Sequence, residues 1–390
     1  MENCESYQFT WPGKSRAAAL AETPAQGELR PVDKWSFGRD GAPGGTDSGN
    51  MYIGGDNLDA LKLLSGEYSG RIKLICIDPP YNTGSDFIYG DNFAGPKGRF
   101  GGDAGRLHAG WLNMMYPRLK LAKELLREDG SIFVFIDYNE AANLRKLMDE
   151  VFGEENFQRE IIWRMGWISG YKTAAGNFIR NHDSILFYSK NRELLDFKKL
   201  YIENRDFKPL VKSTPKLREK FRELGLSPKQ GRELLNFINH ENRPERYPIE
   251  DTWNCSEYDD LNSIAIMSFS GEKISKLLGI DQEFKGQKSV RMLRRIISAT
   301  TWGEDIVLDF FSGTASTAQA VMEQNISDGG SRRFIMVQLP EPLPEGCAAR
   351  NAGYDTICDI GRERIRRAGD CLRERASSDA DYGFRLFTLR

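Results

Sequence analysis

The sequence predicts a parallel-sheet α/β domain. Two runs, RIKLICID (71–78) and SIFVFID (131–137), are too apolar to be half exposed. They read as buried parallel strands, because a strand covered on both faces loses its polar alternation. Segments of helical spacing follow or separate them, and several close on a glycine. Strands and helices therefore alternate, the pattern of a parallel sheet joined by crossover helices.

The elements follow in order. Residues 1–45 are mixed and rich in Gly, Pro and Ala, and GRDGAPGGTDSGN (38–50) reads as a flexible arm or linker. Structure is expected to begin at Met51-Tyr52-Ile53, with a helix in NLDALKLLSGEY. The Gly-rich stretch 82–110 is too long for an ordinary loop, so it reads as functional or mobile. A helix spans 111–130 and closes at Gly130, and a second covers 139–153 before the strand DSILFYSK (183–190). Residues 190–246 carry 15 Lys and Arg against 9 Asp and Glu and lack buried-strand patterning, which predicts a mostly helical basic insertion. The sheet pattern returns with a strand in EDIVLDFFSG (304–313) and a helix in TASTAQAVMEQN (314–325). Then come a strand in RRFIMVQL (332–339), a helix over 354–369 and a last strand in DYGFRLFTLR (381–390).

Composition narrows the function. The chain has 390 residues, 40% of them hydrophobic, enough to fill one large domain or two smaller ones. That apolar fraction excludes disorder throughout, and no stretch approaches the roughly 20 apolar residues of a membrane span. The start, MENCESYQFTWPGKSR, lacks a secretory pattern. Six scattered cysteines form no C-x-x-C pair, which argues against a zinc site or disulfide framework and for a reducing cytoplasm. The net charge of −2 identifies no partner by itself.

Two segments at strand ends carry chemistry, and in open α/β sheets ligands bind at that end. The first is Asp78-Pro79-Pro80-Tyr81-Asn82. Each proline locks its own φ and restricts the residue before it, so the backbone is rigid. The Asp78 carboxylate and the Pro79 carbonyl are acceptors, and Tyr81 offers a flat ring. Such a set suits an exocyclic amine on a planar base. The same residues also suit a plain turn that ends a strand. The second segment is Leu308-Asp309-Phe310-Phe311-Ser312-Gly313-Thr314-Ala315. Acid, aromatics and Gly at a strand-to-helix junction suit a nucleoside cradle. No phosphate-binding G-x-x-x-x-G-K-[ST] is present, so a ligand without phosphates fits better.

Together these motifs resemble β-class amino-methyltransferases acting on DNA, and most of all the modification subunits of type III restriction systems. DPPYNTG (78–84) stands as the catalytic motif and DFFSGTAST (309–317) as the cofactor motif, in the circularly permuted order of that class. The likeness extends through IGGDNLDALKLL (53–64), WLNMMYPRLKLAKELLREDGSIFVFID (111–137), EVFGEENF (150–157), HDSILFYSK (182–190), FKGQKSVRMLRRII (284–297), DGGSRRFIMVQLPE (328–341) and ICDIGRERIRRAG (357–369). It implies a Rossmann-like, doubly wound, mostly parallel sheet of the S-adenosylmethionine (SAM) methyltransferase type.

The resemblance also implies roles. Asp78 and the Pro79 carbonyl hold the target amine, with Pro80 rigidifying the turn and Tyr81 stacking on the base. Asp309, Phe311 and Gly313, with Phe310, Ser312 and Thr314 beside them, line the methionine and ribose region of SAM. Asp56, followed by Asn57, reaches the adenine. Lys288 lies in the segment over the methionine end, and Gln338 stands where many relatives place an acid for the ribose hydroxyls. Ala315 replaces a usual Gly and is expected to take a negative φ in a helical first turn. Ser289 replaces a usual Pro, and relatives continue beyond the position of Arg390. No metal is implied; His182 reads as structural, and His108 and His240 show no partners in sequence.

The implied domains are an arm (1–45), a catalytic part (46–190), a target-recognition insertion (191–265) and a SAM-binding part (266–390). The implied reaction is methyl transfer from SAM to N6 of an adenine flipped out of double-stranded DNA, with loop 82–110 as a cover for that base. Cytosine N4 is the alternative target, RNA a further one, and a catalytically weak DNA-binding subunit the alternative from another class. A homodimer and a helicase-nuclease restriction subunit are the implied partners.

Overall fold

A computed structural model describes residues 8–84, 107–164, 176–207, 209–254, 274–280, 287–376 and 380–390. The stretch 85–106, expected to cover the flipped base, lies outside them. Along the chain come α1 (Lys14–Glu22), β1 (Leu29–Pro31), β2 (Met51–Gly54), α2 (Asn57–Tyr68), β3 (Ile72–Ile77), α3 (Leu107–Leu125), β4 (Leu126–Ile136), α4 (Ala141–Phe152), β5 (Phe157–Arg164), β6 (His182–Ser189) and β7 (Tyr201–Glu203). The rest are α5 (Pro215–Glu223), α6 (Pro228–Asn236), β8 (Arg246–Pro248), β9 (Thr252–Asn254), α7 (Ile274–Leu278), α8 (Val290–Thr300), β10 (Ile306–Asp309), α9 (Ser316–Asp328), β11 (Arg333–Gln338), α10 (Ala348–Asn351), α11 (Ile357–Arg375) and β12 (Arg385–Leu389).

The main sheet has ten strands in the order β1-β12-β2-β11-β10-β3-β4-β6-β5-β9. The consecutive strands from β12 to β4 all pair in parallel. β6 pairs antiparallel with both β4 and β5. Successive side chains of a strand point to opposite faces, and here both faces are covered. Ile75 and Ile77 of β3, and Ile132, Val134 and Ile136 of β4, join a core with α2, α3 and α4. Leu74, Cys76, Phe133 and Phe135 join a second core with α8, α9 and α11. Two apolar faces explain why these runs show no polar alternation in sequence.

β3 and β10 are neighbours, with Val307 beside Leu74 and Leu308 beside Ile75. From this junction the chain builds outward to β4 on one side and to β11 on the other. The carboxyl ends of β3 and β10 therefore flank a topological switch point, where open α/β sheets form a ligand crevice.

Several expectations need correction. Residues 8–45 are not a free arm. Trp11 Nε1 donates to Asn113 Oδ1 at 2.8 Å, α1 packs on α3, and β1 pairs with β12. The helix does not run to Gly130: α3 stops at Leu125 and Gly130 lies within β4. The pairing of β4 with β3 shifts register between Ile72 and Leu74, an irregularity that the helical spacing conceals. β5 carried no clear signal, since its exposed Arg159 and Glu160 interrupt the apolar pattern. The insertion includes the small β7–β8 ribbon, and its β9 extends the main sheet beside β5.

Candidate active site

Asp78 follows directly on β3. The turn after it is fixed from behind by Trp111, a fully buried α3 residue whose Nε1 donates to the Pro80 carbonyl at 2.7 Å. Asn82 has φ +58°, a left-handed conformation that Asn tolerates better than most residues. Its Nδ2 donates to Glu140 Oε1 at 2.6 Å. Glu140 is fully buried at the start of α4 and also accepts from Asn143 Nδ2. His108 Nδ1 lies 2.8 Å from Glu140 Oε1, so the histidine without a partner in sequence has one in the fold. Trp111 and Glu140 are site supports that sequence reasoning missed. Their partners lie 31 and 58 residues away, and no local pattern marks them.

The Lys288 ammonium reaches across from the segment before α8. Its Nζ is 2.8 Å from Asp78 Oδ2 and donates to the Tyr81 hydroxyl at 2.7 Å. It also lies 5.0 Å from the Tyr81 ring centroid and 5.4 Å from that of Phe135. Asp78 Oδ1 is buried and has no hydrogen-bond partner among the described residues. Burial pushes the Asp78 carboxyl above its ordinary range, while Lys288 pulls it back down. Lys288, expected over the methionine end of the cofactor, thus contacts both Asp78 and Tyr81 of the turn after β3. Ser289 caps α8, its Oγ accepting from Met292 N, and so replaces the expected proline with a different helix-start device.

Asp309 ends β10 and is 5% exposed. Its Oδ1 accepts from Phe311 N at 3.1 Å and its Oδ2 from Thr317 Oγ1 at 2.6 Å. It makes no ion pair among the described residues. Burial pushes its pKa up to about 7. Gly313 has φ +51°, and a Cβ there would meet nothing within 4 Å. Its N–H donates to Gln338 Oε1 at 2.7 Å. Gln338 thus holds the cofactor loop with its amide oxygen, and its Nε2 donates to the Leu339 carbonyl at 3.2 Å.

Ala315 does not take the expected negative φ. It has φ +60° and ψ +38°, is fully buried, and caps α9. Its N–H donates to the Ser312 carbonyl at 2.7 Å, closing a turn just before the helix. Arg364 of α11 braces the same loop from below, donating to Thr314 Oγ1, Ser316 Oγ and Gln319 Oε1. It is 2% exposed and was another residue that sequence reasoning missed.

Asp56 caps α2, its Oδ1 accepting from Leu58 N, and its Oδ2 lies 3.4 Å from Arg118. Asn57 bridges the two motifs. Its Nδ2 donates to the Phe310 carbonyl at 2.7 Å, and its Oδ1 accepts from Arg118 Nε at 2.6 Å. Asp56, Asp78, Asp309 and Gln338 thus stand at or just past the carboxyl ends of the neighbouring parallel strands β2, β3, β10 and β11, with Lys288 tied to Asp78 and Tyr81, Asn57 to Phe310 and Gly313 to Gln338. His182 opens β6 and is exposed, and His240 Nδ1 lies 3.1 Å from Asn204 Oδ1. Among the described residues no group of His, Cys, Asp and Glu could hold a metal ion.

A buried carboxylate without a cation stands beside an open glycine face at the end of β10. A buried acceptor without a donor stands at the end of β3. These residues fit a cationic nucleoside such as SAM on one side and an amine on the other. The fold and crevice thus define a Rossmann-like α/β transferase. Residues 72–341 match the family described as DNA methylase, the N6/N4 methyltransferases, and the chain belongs to that family. It is a SAM-dependent DNA methyltransferase.

Three relatives frame it. The chain is 29% identical to the type III restriction-modification enzyme EcoP15I Mod subunit of Escherichia coli, over 99% of this chain and 71% of that one. It is 32% identical to the StyLTI Mod subunit of Salmonella typhimurium, over 87% of this chain but only 60% of the relative's length. It is 28% identical to the type II methyltransferase M.KpnI of Klebsiella pneumoniae, over 83% and 88% of the two chains.

Proposed function

We propose that the protein is a site-specific DNA adenine-N6 methyltransferase of the type III modification kind. The carrying observation is Asp78 Oδ1, a buried acceptor with no partner among the described residues, one strand away from the Asp309 loop. The N6 lone pair of adenine is delocalised into the ring, so the amine is a poor nucleophile. Asp78 Oδ1 and the Pro79 carbonyl accept its hydrogens and favour a tetrahedral nitrogen, stabilising the positive charge that develops there. Tyr81 stacks on the base, which must leave the duplex to reach the crevice. Asp309, Gly313 and Asp56 hold SAM, which supplies a methyl group already activated on a sulfonium. The new N–C bond takes the nitrogen lone pair, the old S–C pair stays on sulfur, and the surplus proton leaves the amine past Asp78. The chain mainly contributes alignment.

The basic insertion supplies phosphate contacts and target choice in this reading; the likeness to Mod subunits of type III restriction-modification enzymes supports a restriction subunit as partner, and a homodimer is the second partner proposed. Expression in Escherichia coli lacking its own adenine methylation tests the reaction. Nucleoside mass spectrometry is expected to find N6-methyladenine with the wild type and none with Asp78→Ala. Removing one transition-state acceptor should cost about 100-fold or more in turnover while leaving SAM affinity within a few-fold. N4-methylcytosine in its place would reassign the target, and no modified base would overturn the reading. Co-purification with a co-expressed type III restriction subunit, and light scattering, test the two partners.

A further inference from the structure

Lys288 touches both the acid and the aromatic of the turn after β3. It comes from a distant part of the sequence, 210 positions after Asp78. Its Nζ takes Asp78 Oδ2 at 2.8 Å and the Tyr81 hydroxyl at 2.7 Å, and its side chain is 16% exposed. Ser289, the next residue, caps α8, and α8 is buried along Val290, Leu293, Ile296 and Ile297. The ammonium is therefore held on a rigid element, between the Tyr81 and Phe135 rings.

A carboxylate has two oxygens, and this contact uses only one. With Oδ2 committed to Lys288, Asp78 Oδ1 is left buried and without a partner among the described residues. A buried anionic oxygen with no donor is costly, so it is poised to accept from an incoming group. We infer that Lys288 is a positioning residue for methyl transfer: it fixes Asp78 and Tyr81 in one frame, so that Oδ1 is the oxygen offered to the target amine. The inference rests on the amine-holding role of Asp78 proposed above.

A second consequence concerns protonation. Oδ1 is free to accept from an amine when Asp78 is the carboxylate, because a protonated acid can carry its hydrogen there. The groups that face it are Lys288 before α8, Tyr81 on its own loop, Asp183 on β6, Asp309 on β10 and Cys76 on β3. Burial, the largest influence, and Asp183 favour the protonated acid, and the Lys288 cation and the Tyr81 hydroxyl oppose them. Without that cation the acid form of Asp78 persists to higher pH.

The test uses the full chain, tritiated SAM and mixed-sequence genomic DNA free of N6-methyladenine. Turnover is followed from pH 5.5 to 9 for the wild type, Lys288→Met and Lys288→Arg. SAM affinity is measured by calorimetry, and thermal melting checks the fold of each variant. Lys288→Met is expected to lose about tenfold or more of kcat at pH 7, with SAM Kd within threefold. Its acid limb should move up by about one pH unit or more, so that part of the loss is recovered at pH 9. Lys288→Arg keeps a cation and should keep the acid limb in place, which separates charge from shape even if the methionine variant folds poorly. A SAM Kd weakened tenfold with the acid limb unmoved would overturn the inference and return Lys288 to the cofactor. A wild type inactive on every DNA tested would instead overturn the proposed function.

Discussion

At the scale of single residues, Ala315 shows how a local expectation fails. A left-handed φ costs an L-residue about 1–2 kcal/mol, which the Ser312 turn and the Arg364 brace impose on it. Ala315→Gly relieves that cost but loses a buried methyl worth about 0.8 kcal/mol and adds chain entropy to the unfolded state. The terms oppose each other, so urea unfolding should find a net change within about 1 kcal/mol. Ala315→Val places a β-branched side chain at φ +60° in a fully buried site and should cost about 2 kcal/mol or more. Equal stability of the valine variant would show that the turn is not held as described. Asp309 gives a pH prediction. Its folded pKa of about 7 lies above its ordinary value, so unliganded stability from this group is present at low pH and lost as pH rises through about 7. Cationic SAM favours the ionised form, so binding should release a proton below pH 7. Its affinity should be about tenfold weaker at pH 6 than on the plateau. Calorimetry in buffers of different ionisation enthalpy reads this directly, and Asp309→Asn should abolish the proton release.

Among the elements, the helical pair α5–α6 carries the argument for DNA contact. Thr214 and Ser227 cap the two helices, each with a proline inside its first turn. Gly231 of α6 lets the Phe221 ring of α5 approach, since a Cβ there would lie 2.8 Å from that ring. Lys212, Lys216, Arg218, Arg222, Lys229 and Arg232 are exposed on or beside this pair. Such a surface suits phosphate contact, each neutralised phosphate adding about −0.9 to the slope of log affinity against log salt. The flanking segment is not dispensable, because Phe197 packs on Phe187 and Lys198 N donates to the Ala299 carbonyl. β7 and β8 are antiparallel neighbours, with Glu203 opposite Arg246. Replacing 204–245 by a short Gly/Ser turn should therefore preserve the sheet and SAM binding. It should also abolish site-specific methylation and flatten the salt dependence of DNA binding. Retained methylation of the same sequence would place recognition elsewhere in the chain.

For the molecule as a whole, the order of strands matters more than the order of sequence. β10, which flanks β3, comes from the far half of the chain, and so do α8, α9 and α11. Residues 1–190 alone would leave Leu74, Phe133 and Phe135 without those helices. Exposing three such side chains forfeits about 5–9 kcal/mol, comparable with the whole net stability of about 5–15 kcal/mol. The fragment should show no cooperative urea transition, and co-expression with 191–390 should restore it. A sharply melting isolated fragment would mean that the two halves are independent domains.

The sequence by itself determined what is periodic or covalent: the fully apolar runs of β3 and β4, the alternation with helices, the rigid Asp78–Tyr81 turn and the acid-aromatic-glycine run from Asp309. Each is written within a few consecutive residues, so local sterics and burial make it readable. The tertiary structure decided what depends on residues far apart. It gave β4 its early start and irregular register against β3, packed 8–45 onto the domain, and turned Ala315 into a left-handed cap. It also moved Lys288 onto Asp78 and gave Trp111, Glu140 and Arg364 their supporting roles. Those placements rest on hydrogen bonds and ion pairs whose partners meet only after the sheet has brought its two halves together, and pairwise geometry of that kind leaves no period in a chain.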